Sequence, residues 1–115
     1  MCGIIGFSTK VPKDPVAIIT QHLAYLEYRG YDSTGMAFVD TDGQMHVAKK
    51  AGNITALKAA TSDIHAQARF GIGHTRWATH GQPNDVNAHP HVGDEAVIIH
   101  NGVIENHEQL KAQLI

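Results

Sequence analysis

Residues 1–7 read Met1-Cys2-Gly3-Ile4-Ile5-Gly6-Phe7, and this opening sets the fold and the chemistry together. Cys2 is the only cysteine of the chain, placed behind an initiator methionine of the kind removed when a small side chain follows. With Met1 gone, one residue carries a thiol, of free pKa about 8.5, and an α-amine, of free pKa about 7.7 to 8.0. Moving a proton from sulfur to amine across that gap costs under about 1 kcal/mol. This is the cysteine form of the N-terminal nucleophile, in which the terminal amine activates the attacking group. A lone cysteine elsewhere in a chain reads as a small buried hydrophobe. Position two is what changes the reading. Cys2 to Thr9 form a short apolar strand, with glycines at Gly3 and Gly6 where backbone passes close to a neighbour.

Outward from that strand, Asp14 and Pro15 supply an N-cap and a first-turn proline for a helix whose Val16, Ile19, Leu23 and Leu26 share one face. Gly30 is its expected stop. Met36 to Asp40 and Met45 to Lys50 flank Thr41-Asp42-Gly43, a hairpin turn. Asn53 caps a short helix carrying Ile54, Leu57 and Ala60. Phe70 to His74 and Ala96 to His100 read as two more strands. The polar loop between them, Thr75 to Gly93, exceeds the 12 to 15 residues, roughly, beyond which loops are usually functional. Ile104 to Ile115 has helical character, with Leu110 and Leu114 four apart and no terminator, so the expected object is a piece of a larger domain.

At 115 residues the expectation is one modest domain. Hydrophobic residues are 43% and charged residues 17% of the chain, the balance of a globular protein. A net charge of −2 disfavours nucleic acid and anionic membranes as partners. No apolar run reaches the roughly 18 residues of a membrane span, and the start lacks a basic signal region. The expected compartment is the cytoplasm, whose reducing conditions suit a free thiol.

Several residues carry chemistry alongside a blander alternative. Arg76 and Trp77 leave a strand within Gly73-His74-Thr75-Arg76-Trp77-Ala78-Thr79-His80-Gly81. A guanidinium there can hold a carboxylate bidentately or serve a structural salt bridge. Arg29, among Gly and Tyr, has the same two readings, whereas Arg69 reads as a surface residue. Trp77 reads as core or as a gate. Asn101-Gly102 is either a tight turn or a side-chain amide and an open main-chain N–H, the donors of an oxyanion hole. Asp32 and Ser33 orient a terminus or shape a turn. Nine histidines raise a metal site, but their spacing matches no zinc pattern, and hydrogen bonding and packing are the expected uses.

Five motifs in order then identify a family: CGIIGF at the start, LEYRGYDSTG from Leu26, HTRWATHG from His74, NAHPH from Asn87 and HNGVIENH from His100. Together they resemble the class II glutamine amidotransferases, and most closely the glutaminase domain of the glutamine–fructose-6-phosphate aminotransferases. Amidophosphoribosyltransferases resemble the same start but carry RGQDS and HTRYST patterns; Tyr31, Trp77 and His80 favour the hexosamine branch. Asparagine synthetases and glutamate synthases share the terminal cysteine and little of HTRWATHG.

The resemblance implies an α+β fold, the N-terminal nucleophile αββα sandwich, of which residues 1–115 are the front part. It implies that Cys2 attacks the side-chain amide of L-glutamine to give a glutamyl thioester, and that Asn101 and Gly102 N–H receive the oxyanion. Arg76, with Thr79 and His80, would bind the α-carboxylate. Trp77 would gate ammonia and Arg29 would position the terminus. No metal or organic cofactor is implied. The partner is a C-terminal sugar-phosphate isomerase domain, which passes ammonia to fructose 6-phosphate and through which the parent would form a homodimer. The aspartate that takes the glutamine amine lies in the family beyond the HNGVIENH block, outside these residues.

Overall fold

A computed structural model describes residues 2–27, 32–77 and 84–115. The described elements are β1 (Gly3–Lys13), α1 (Pro15–Tyr25), β2 (Ser33–Asp40), β3 (Met45–Ala51), α2 (Ile54–Ala60), β4 (Ala68–Arg76), β5 (His91–Val92), β6 (Val97–Ile98) and α3 (His107–Leu114). β1, β4, β2 and β3 lie in that order in one sheet, every neighbouring pair antiparallel. β5 and β6 form a separate two-stranded ladder. The class is therefore mixed α and β on an antiparallel sheet.

The expected elements appear with shifted ends, and each shift has a cause. β1 runs on past Thr9 to Lys13, through Pro12, because it is the sheet's edge and an edge strand can spare an N–H. Its register breaks between Ser8 and Lys13. β4 is longer than Phe70 to His74 and keeps two glycines, because a helix needs the room. A Cβ on Gly73 would come within 2.6 Å of Ile19 Cγ2, and one on Gly71 within 3.2 Å of Ile19 Cδ1. Ile19 thus sits on bare strand backbone.

α1 begins as expected: the Asp14 carboxylate accepts from Ala17 N–H at 3.1 Å and Pro15 opens the first turn. It ends at Tyr25 with Leu26 as its cap, and the expected stop at Gly30 lies outside the described residues. Asn53 caps α2 through bonds from Thr55 and Ala56 N–H. The β2–β3 hairpin turns at Gly43, whose φ of 83° is the left-handed conformation glycine tolerates. Both helices cover one face, where Ile19, Leu23, Met36, Phe38, Ile54, Leu57 and Ala68 form the core.

The other face is different. Alternation along the strands turns Ile4, Phe70, Ile72, Ala37 and Met45 toward it. Ile4, Met45 and Phe70 are 46%, 44% and 54% exposed. An open groove of about 250 Å³ runs there among Ala37, Val39, Met45, Phe70, Ile72 and Val97. At the opposite end of this face the His89–Pro90 segment lies on Gly35, where a Cβ would overlap the His89 carbonyl. α3 starts at His107 rather than Ile104, since the Asn106 side chain makes no capping bond and the Ile104 carbonyl is taken by His107 N–H at 3.2 Å. All of α3 is exposed. Among the described residues no helix is long and apolar enough to cross a membrane.

Candidate active site

The β1–β4 ladder decides where Cys2 lies. Gly3 faces Thr75 and Ile4 faces His74, so Cys2 reaches the end of β4 where Arg76 and Trp77 leave it. Trp77 N–H donates to Cys2 Sγ at 3.4 Å, and the thiol lies 3.9 Å from the Trp77 carbonyl oxygen as its acceptor. Among the described residues the sulfur is thus held by the Trp77 main chain, and Cys2 stays part-exposed. Trp77 itself is 51% exposed in this segment. Asp32 N–H donates to the Arg76 carbonyl at 2.8 Å and ties the start of β2 to the same corner.

Alternation puts His74 and Arg76 on the face of the sheet opposite α1, the face toward which Cys2 continues from Ile4. His74 is fully buried, and its Nε2 lies 2.7 Å from Asn101 Oδ1. Its ring stacks on His89 at 4.1 Å, and His89 meets His91 at 4.4 Å. His89 Nδ1 accepts from His100 N–H at 3.3 Å. That bond draws His100 out of the ladder and explains why β6 stops at Ile98 instead of running to His100.

The electrostatics of this cluster follow from burial and from two cations, Arg76 and Lys49. Burial pushes the His89 imidazole down to about 3, aided by the charges of His74, His91 and Arg76. His74 and His91 are lowered for the same first reason, with Arg76 adding to it at both and Lys49 adding more than Arg76 at His91. The three rings are neutral near pH 7, which leaves the Arg76 guanidinium and, on the His91 side, the Lys49 ammonium as the permanent positive charges near them. Such a corner suits a carboxylate.

Asn101 and Gly102 lie at the surface, outside any strand. Gly102 has φ of 134°, a value side chains disfavour, and the pair is not the turn of a hairpin between two strands. Asp85 braces the segment leading to His89: it accepts from Ala51 N–H at 2.7 Å and meets Lys50 Nζ at 3.2 Å. The structure therefore gathers Cys2, Arg76 and the Trp77 main chain at one strand end, and ties Asn101 to the same strand. The expected roles of Arg29, Thr79 and His80 fall outside the described residues. From sequence, His74 and His89 stand out only within the histidine grouping weighed as a metal site, not as neighbours of Asn101; a His two residues before Arg on one strand was the available signal for that. Among the described residues, no three His, Cys, Asp or Glu side chains are gathered as metal ligands.

No family model matches the chain. Individual relatives do. The chain is 47% identical, over 99% of its length, to a glutamine–fructose-6-phosphate aminotransferase [isomerizing] of Escherichia coli (strain K12). It is 46% identical over the same share to the proteins of that name from Shigella flexneri and Vibrio cholerae. It spans 18% of the length of each. Along 99% of its residues, then, the chain is a sequence relative of the glutamine–fructose-6-phosphate aminotransferases, matching about a fifth of their length.

Proposed function

We propose that residues 1–115 form the front part of a class II glutamine amidotransferase domain that hydrolyses glutamine through Cys2. The observation that carries the reading is the capture of Cys2 Sγ by the Trp77 main chain, at the end of the strand that bears Arg76 and holds Asn101 through His74. The reaction then runs in two halves. The α-amine of Cys2 takes the thiol proton, and the sulfur adds to the carboxamide carbon of glutamine. Asn101 and Gly102 N–H receive the charge that develops on oxygen. The amine returns the proton to the departing nitrogen, ammonia leaves, and a glutamyl thioester remains. Water, deprotonated by the same amine, breaks the thioester to glutamate and restores the thiol.

General-base help of this kind supplies about 10² to 10⁴ in rate. A single oxyanion donor is worth about 10² to 10³ in kcat. Arg76, with Thr79 and His80, would clamp the α-carboxylate, Arg29 would steady the terminus and Trp77 would gate the ammonia. The half-exposure of Trp77, whose main chain holds Cys2 Sγ, supports the gating role. In the parent protein the ammonia goes to fructose 6-phosphate on a C-terminal isomerase domain, giving glucosamine 6-phosphate in a cytoplasmic homodimer. The open apolar face, with the β5–β6 ladder at its margin, suits cover by a second sheet, as in an αββα sandwich.

The test is Cys2→Ala in the natural full-length protein. Glutamine-dependent glucosamine 6-phosphate synthesis should vanish; unchanged turnover contradicts the proposal. A second reading, that these 115 residues are silent by themselves, is favoured by the exposed α3 and the uncovered face. Glutamine hydrolysis by the isolated segment would refute it.

A further inference from the structure

His74 is buried to 0% exposure yet lies three residues before the main chain that grips the nucleophile. Ile4 faces it across the ladder, so the Cys2 backbone is two residues, or about 7 Å, further along the same strand. A small amide fits in that interval. Among the described residues, the side-chain partner of Nε2 is Asn101 Oδ1 at 2.7 Å. Packing of His89 against the ring at 4.1 Å stops the imidazole from turning, and His89 is itself seated on Gly35.

Resting on the glutaminase reading above, we propose that His74 is a positioning residue: its Nε2–H donates to Asn101 Oδ1 and so leaves the Asn101 NH₂ as the end of the amide that faces the oxyanion. A carboxamide can sit either way round, and only one of its two ends donates. With the opposite orientation Asn101 would present a carbonyl to a developing negative charge. A neutral imidazole carries one proton. On Nε2 that proton meets Asn101 Oδ1 at 2.7 Å, whereas Nδ1 makes no hydrogen bond of ordinary distance and angle among the described residues, although the His100 main-chain carbonyl lies near the ring. A buried N–H without an acceptor is the rarer and costlier arrangement. Burial favours the neutral ring, so the orientation is stable through neutral pH.

The role is indirect, and the experiment separates it from simple packing. In the full-length protein, His74→Phe keeps the stack but removes the donor. Its kcat for glutamine hydrolysis should fall by at least 10-fold and by no more than the roughly 10² to 10³ of a lost oxyanion donor. KM for glutamine and the rate of Cys2 alkylation by iodoacetamide should be unchanged. His74→Gln, which can place an N–H near the Nε2 position, should recover most of kcat. The His74→Phe/Asn101→Ala double variant should be no slower than Asn101→Ala alone. Additive losses, or a loss confined to KM, overturn the proposal. Should His74→Phe not fold, ¹⁵N spectra of the histidine-labelled wild type decide. A proton on Nε2 supports the assignment and a proton on Nδ1 overturns it. A wild type without glutaminase activity would refute the functional reading, while the tautomer still reports on the hydrogen bond.

Discussion

Asn101 shows how little a residue's type says until its neighbour is known. Asn-Gly after an apolar run is ordinarily a turn, but here Gly102 takes φ of 134° and Asn101 is held by a buried imidazole. Asn101→Ala should lower kcat for glutamine hydrolysis by about 10² to 10³ with little change in KM; equal losses in both would place Asn101 in ground-state binding instead. The histidines make a second prediction. His89 is lowered from 6.5 to about 3, so the unfolded chain binds its proton more readily than the folded one between those values. Stability is therefore complete above pH 7 and declines as pH falls from about 6.5 toward 4, with His74 and His91 acting in the same direction. Asp40, held below its ordinary 3.8 chiefly by the His46 hydrogen bond, adds its loss only at lower pH. Thermal melts at pH 7.5, 6 and 5 should show a falling midpoint that flattens in His89→Gln. A constant midpoint contradicts the assignment. Cys2, Arg76, Asn101 and Gly102 could be named from the chain alone because their chemistry is rare and their motifs are specific. His74 and His89 could not, since nothing in one sequence tells which of nine imidazoles is buried.

At the scale of elements, the glycines of β4 do most to explain the packing. Ile19 of α1 rests on Gly73, with only 2.6 Å left for a Cβ, which would also meet Ile5 Cγ1 at 3.0 Å. Gly73→Ala should destabilise the fold by about 1 to 3 kcal/mol through overpacking, measurable as a lower denaturant midpoint. Asp14→Ala should cost about 1 kcal/mol by removing the α1 cap. An unchanged midpoint in either variant would refute its assigned role. α1, α2 and the β2–β3 hairpin were legible because caps, a proline and a turn glycine mark their ends in a single local code. The ends of β1, β4 and β6 were not, because they are set by partners distant in sequence. β1 tolerates Pro12 as an edge, β4 lengthens where Ala68 pairs with both Lys13 and Asp40 and Arg76 pairs with Ser33, and β6 is cut short where His100 N–H goes to His89.

For the molecule as a whole, the two faces of the sheet differ in a way composition cannot reveal. One is closed by α1 and α2; the other exposes Ile4, Met45 and Phe70 around an open groove. An expression product limited to residues 1–115 should bind a hydrophobic dye or self-associate, and Phe70→Lys should reduce both effects. That same face carries the corner where Cys2 meets Trp77, so under the proposed function the sheet orders the sulfur and the terminal amine would supply its reactivity. The most direct measurement is glutamine hydrolysis by the full-length protein with Met1 removed, set against the same protein carrying a short uncleavable extension before Cys2. The mature form should turn over glutamine, and the extended form should be slower by about 10² or more, because its amine has become an amide. Equal rates from the two would contradict the account.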